Sequence, residues 1–90
     1  MDFEWDGAKA AANRRKHAVS FDEAASVFDD PLVCIFHDKV HSVVEDRWIA
    51  IGISGRGRLL VVSHAYRGHR TRIISARKAT ANEVREYEER

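Results

Sequence analysis

Apolar residues recur in four tight runs between residues 32 and 77: LVCIF, RWIAIGIS, LLVVSHAYR and TRIISAR. LVCIF is apolar throughout. RWIAIGIS alternates, placing Arg47, Ile49, Ile51 and Ile53 on one strand face and Trp48, Ala50, Gly52 and Ser54 on the other. SGRGR and RGH separate the later runs and supply glycine where a hairpin needs positive φ. With the longer HDKVHSVVED joining the first two, the pattern predicts an antiparallel meander of four strands.

Before residue 32 the period changes. DFEW is a short strand candidate, and Asp6 is placed to cap a helix running to about His17. Ala8, Ala11 and Ala12 give that helix a thin apolar face, with Lys9, Asn13 and Lys16 on a polar one. Ser20 and Glu23 have capping-box spacing, and Phe21, Ala24, Ala25 and Phe28 follow as a buried stripe that Asp29-Asp30-Pro31 stops. Thr80 and Glu83 repeat the box and open a last helix carrying Val84 and Tyr87. The order is β-α-α-β-β-β-β-α, an α+β domain spanning residues 1–90, with two N-terminal helices and one C-terminal helix.

Composition narrows the class. Hydrophobic residues at 44% and charged residues at 32% describe a globular domain and not a disordered tail. Such a chain buries about 60–68% of its unfolded surface, enough for one modest core. No run is long enough to span a bilayer, and MDFEWDGAKA is too acidic for a signal peptide, so a cytoplasmic protein with no membrane partner is expected. Cys34 is the only cysteine, which rules out an internal disulfide and a thiolate zinc site. His37 is its one local candidate base, and a small hydrophobe is the better reading. Neither a metal nor another cofactor is expected.

The net charge of +1 conceals a segregation. Between Asp22 and Asp46, seven acids stand against Lys39 alone. From Arg47 to Asn82 there are eight cations, Arg47, Arg56, Arg58, Arg67, Arg70, Arg72, Arg77 and Lys78, and no acid. That asymmetry points to a polyanionic partner for one surface, unless the two blocks fold against each other and neutralise.

If the N-terminal helices cover the Ile49/Ile51/Ile53 face, the opposite face is a floor of small residues beside His64, Tyr66 and the arginines. Such a groove suits a phosphodiester backbone. The partner of His64 depends on register. A two-residue turn at Gly68-His69 opposes Arg67 to Arg70 and His64 to Ile73. A three-residue RGH turn opposes His64 to Arg72 and Tyr66 to Arg70, and this second register is the one adopted. The chemistry implied is RNA cleavage without a metal: His64 moves a proton between the ribose 2′-OH and the leaving 5′-oxygen, while Arg72 and Arg77 grip the phosphate. Tyr66 can stack a base or bond the phosphate.

The segments FEWDGAKAAANRRKHAVSFDEA, EDRWIAIGIS, GRLLVV and RIISARKAT, in this order over nearly the whole chain, resemble the BrnT family of bacterial type II toxin–antitoxin modules. The resemblance implies a RelE-like fold and a ribonuclease activity that halts translation. It also implies neutralisation by a cognate BrnA-like antitoxin with a DNA-binding domain, operator DNA being met only through that complex. The matching positions are Lys16 and His17 in RKH, Glu45 and Arg47 in EDRW, His64, and Arg72 and Arg77 in RIISAR. With Tyr66 and Arg70, these make His64, Arg72 and Arg77 the expected catalytic set and the others RNA contacts.

Plainer roles compete. His17 can serve the negative end of its helix dipole, Glu83 its capping box, and His37 and His41 a solvated loop. A non-catalytic nucleic-acid-binding module and a purely structural partner protein are the rival functions.

Overall fold

The computed structural model describes residues 1–89. Chain order is β1 (Asp2–Glu4), α1 (Gly7–His17), α2 (Phe21–Ser26) running into a 3-10 turn (Val27–Asp29), β2 (Cys34–His37), β3 (Trp48–Ile53), β4 (Leu59–Arg67), β5 (Arg70–Lys78) and α3 (Ala81–Glu88). The expected caps form. The Asp6 carboxylate accepts the Lys9 N–H at 2.9 Å, and Ser20 Oγ accepts the Glu23 N–H at 3.0 Å. At Thr80 and Glu83 both halves of the capping box are present.

The four expected strands form their antiparallel meander, but the sheet has five, in the order β1-β5-β4-β3-β2. The short DFE strand pairs parallel with β5, Asp2 opposite Arg70 and Glu4 opposite Arg72, so the sheet is mixed. Where β1 ends, a side chain takes over. Buried Asn13 on α1 accepts the Ala76 N–H at 3.1 Å and donates to Ala76 O at 2.8 Å and Val19 O at 2.9 Å. Its amide thus supplies one more rung along the edge of β5 and fixes α1 there, although helical spacing alone assigned Asn13 to a polar face.

The helices lie on the face opposite to the one expected. Ala50, Leu60, Val62, Ile73 and Ala76 are buried with Val19, Phe21, Ala24 and Val27. The physical reason is visible at Gly52, where an added Cβ would stand 2.9 Å from Val27 Cγ1. The small residues of RWIAIGIS are the surface on which a helix sits close, not the floor of an open groove. On the other face Ile51 and Val61 are buried and Ile53 is exposed. There α3 contacts β3 and stretches from the Arg77–Glu83 pair to a 2.5 Å hydrogen bond between Tyr87 and Asp30.

The charge blocks do meet, in part. Glu23, buried on α2, does not return to the Ser20 N–H. It accepts from Ser54 Oγ at 2.7 Å and Arg58 Nε at 2.8 Å, and Arg58 also reaches Ala18 O at 3.0 Å. The Arg58 hydrogen bonds, helped by Ser54, hold the Glu23 carboxyl below its ordinary range despite burial. Glu23→Ala leaves the buried Ser54 hydroxyl and the partly exposed Arg58 guanidinium without their acceptor and costs about 1–3 kcal/mol of folding stability, measured as a lower urea midpoint with an unchanged slope.

Candidate active site

Register decides which side chains share the open face. β4 and β5 turn through Gly68, which has φ 62°, with Arg67 opposite Arg70, Ala65 opposite Arg72 and His64 opposite Ile73. This is the two-residue turn, so the adopted pairing of His64 with Arg72 is corrected. Past a bulge between Ser63 and His64, Ser63 meets Ser75 and Val61 meets Arg77. Opposed side chains share a face, which puts Ser63, Ser75, Val61 and Arg77 with Ile49 and Ile51, away from the helical layer.

His64 belongs to the opposite side. It is 0% exposed, edge-on to Phe28 at 4.9 Å and to Tyr66 at 5.3 Å. Its Nδ1 lies 3.2 Å from Val62 O and its Nε2 3.2 Å from the Tyr66 hydroxyl. The geometry matches an Nδ1–H donating to the carbonyl and an Nε2 accepting from tyrosine. Burial pushes its pKa down, outweighing the Val62 carbonyl, so this is a satisfied, neutral core histidine. Tyr66 shares that face and leans on Trp48 at 6.0 Å. The expected open groove around His64 and Tyr66 is therefore replaced by aromatic packing.

A trough of about 360 Å³ opens on the other face. Ile49, Val61, Ser63 and Ser75 floor it. Lys16 and His17, at the end of α1 that Asn13 docks against β5, line it together with Arg77. Arg47, Asp38 and His41, all following the edge strand β2 or preceding β3, line it as well. Two arms thus reach the same trough from opposite flanks of the sheet.

Of the expected residues the trough gathers Lys16, His17, Arg47 and Arg77. It leaves out His64, Tyr66, Arg70, Arg72 and Glu45. Arg72 donates to Glu4 at 2.8 Å, and Glu45 accepts from Arg67 at 3.3 Å. Arg70 is exposed in the hairpin.

Arg77 is held by Glu83 through two bonds of 2.7 and 2.9 Å, which lower the Glu83 pKa to about 2. Among the described residues no carboxylate pairs with Lys16, His17 or Arg47. His41, read from sequence as solvated, lies at the trough with its Nδ1 2.7 Å from Asp38. Partial burial raises the Asp38 carboxyl, but the ring and backbone of His41 outweigh it and hold Asp38 below its ordinary value. No spacing rule in HDKVHSVVED flags this pair, because the loop's return over the sheet brings it to the site. Cys34 and His37, three apart on β2, face opposite sides and form no dyad.

The uncovered part of this sheet face thus carries a cationic, histidine-bearing trough, a charge pattern that suits a phosphate-rich polymer. The family described as "Ribonuclease toxin, BrnT, of type II toxin-antitoxin system" matches residues 5–83, and the chain belongs to it. The fold is also similar to the crystal structure of the Brucella abortus ribonuclease toxin BrnT, at a TM-score of 0.71 and 25% identity. That match covers 89% of this chain and 97% of the other. No curated protein matches the sequence. Membership implies an antitoxin protein as partner and RNA as target. No helix among the described residues is long and apolar enough to cross a membrane.

Burial of neutral His64 sets a pH test. Its folded pKa lies below the ordinary 6.5, so the unfolded chain takes up the proton first. Stability from this group is present above about pH 6.5 and drains away below it. In His64→Phe that part of the acid-side loss disappears, and cleavage of RNA persists; thermal melts across pH and an RNA gel measure both.

Proposed function

We propose that the trough is the site at which this toxin cuts RNA, using its own side chains and no metal. The observation that carries the reading is the convergence of Lys16, His17, Arg47, Arg77 and the Asp38–His41 pair on one open sheet face. Arg77 is pre-set by Glu83, and Lys16 and Arg47 have no acid of their own to release before taking a phosphate. Among the described residues, Asp38 is the one carboxylate lining the trough.

The two imidazoles fit the two proton transfers. His41 donates Nδ1–H to Asp38, which orients the ring and leaves Nε2 as the acceptor. It removes the ribose 2′-OH proton. The 2′-oxygen then attacks phosphorus, and the bond to the 5′-oxygen breaks. His17 ends α1 and lines the trough, and it donates a proton to the departing 5′-oxygen. Arg47 and Arg77 stabilise the charge gathering on the non-bridging oxygens. The products are a 2′,3′-cyclic phosphate and a 5′-hydroxyl. The fold is proposed to be RelE-like, and the cut to halt translation. The antitoxin is proposed to be BrnA-like, and operator DNA to be engaged only through their complex.

Purified RNA incubated with the protein in EDTA tests the reading. Wild type produces cyclic-phosphate ends, while Arg47→Ala and His41→Ala, with unchanged melts, cut about 100-fold more slowly. RNA left intact by folded wild type, yet retained on a filter, means a binding module instead.

A further inference from the structure

The outer edge of the sheet is bare where β2 runs. β2 pairs only with β3, in a ladder whose next rung is the Asp38 N–H to Arg47 O bond at 2.9 Å. Hydrogen-bonded rungs in an antiparallel ladder recur every second residue, so Phe36 and Cys34 bond inward. Ile35 and His37 then direct their backbone N–H and C=O groups outward, to no partner strand among the described residues. Proteins commonly guard such an edge with lysine, a bulge or a covering loop. Here no lysine and no register shift falls within β2 itself. Ile35 and Phe36 on the strand are exposed, and so are Val40, Val43 and Val44 in the loop after it, with Val44 at 99%.

We propose that this edge and its loop are where an extended, basic segment of the antitoxin docks, adding a sixth strand beside β2. Charge selects the occupant. The stretch between β2 and Arg47 carries Asp38, Glu45 and Asp46 against Lys39 alone. A second copy of the chain would bring that acidic loop against itself, and a nucleic acid would be repelled by it. A segment with lysine or arginine flanking apolar residues matches both the acids and the exposed valines. The position also explains inhibition. Phe36 lies in register with Ile49, which floors the trough, and Asp38 and His41 of the same loop line it. A strand laid along β2 and onto the loop closes the RNA site from its flank. The docking rests on the trough being that site only for this last step, not for the binding itself.

The experiment uses the full-length cognate antitoxin and three forms of the toxin: wild type, Ile35→Pro, and a Val43→Asp/Val44→Asp double variant. Proline at 35 removes an outward N–H without touching a β2–β3 bond, and the loop variant serves if the proline form does not fold. Free toxin cleavage stays at the wild-type level in the variants. Antitoxin affinity by calorimetry falls about 100-fold and neutralisation is lost. On binding to wild type, the amides of Ile35 and His37 become protected from hydrogen exchange. Wild-type affinity in the folded variants, or rapid exchange of these two amides in the complex, overturns the docking. So does a wild-type homodimer broken by the variants while antitoxin binding persists. Absence of cleavage by free wild type would instead overturn the trough reading and leave the affinity comparison intact.

Discussion

Val27 stands where a side chain at position 52 would have to be, with its Cγ1 2.9 Å from the place of the missing Cβ. Because Gly52 and its neighbour Ala50 offer so little bulk, the 3-10 turn and α2 press directly on that face of β3. The choice of covered face follows, and with it the site. Once Ala50, Val62 and Ala76 are under the helices, strand alternation sends Ile49, Ser63 and Ser75 to the far side, with Arg77 beyond them. Asn13 then carries the end of α1, and Lys16 and His17 with it, to the β5 flank of the same surface.

The arginines divide by what this geometry gives them. Arg58 and Arg72 find the carboxylates of Glu23 and Glu4, and they hold the fold together. Arg77 is tied to Glu83 but remains 41% exposed along its side chain, oriented and still able to meet an anion. Arg47 keeps no acid partner among the described residues. A basic block of sequence is therefore partly mortar and partly site, and only the fold separates the two.

Helix boundaries were readable because caps and stop signals are local. Asp6, Ser20 and Thr80 each bond within three residues, and Pro31 keeps the residue before it out of helical geometry. The meander was readable for the same reason, through its glycine turns. Sidedness was not. Alternation says that Ala50 and Gly52 go together, and leaves open whether they face helix or water. The register at Gly68 turned on a single residue, and it carried His64 from a supposed groove into contact with Phe28. Of the trough's lining, Lys16, His17, Arg47 and Arg77 were singled out from the family's motifs. His41 and Asp38 were not, since a loop's path over a sheet is a tertiary fact. Glu23 looked like a cap and became the partner of Arg58, a bond spanning 35 positions.

Amide chemical shifts during titration with a short RNA whose 2′-hydroxyls are replaced by methoxy groups, so that it binds without being cut, test the central claim most directly. A trough site predicts the largest changes at His17, Arg47, Ser63, Ser75 and Arg77, with Trp48, His64 and Tyr66 nearly still. Changes centred on Tyr66 and Trp48, with Ser63 and Ser75 unmoved, would contradict it.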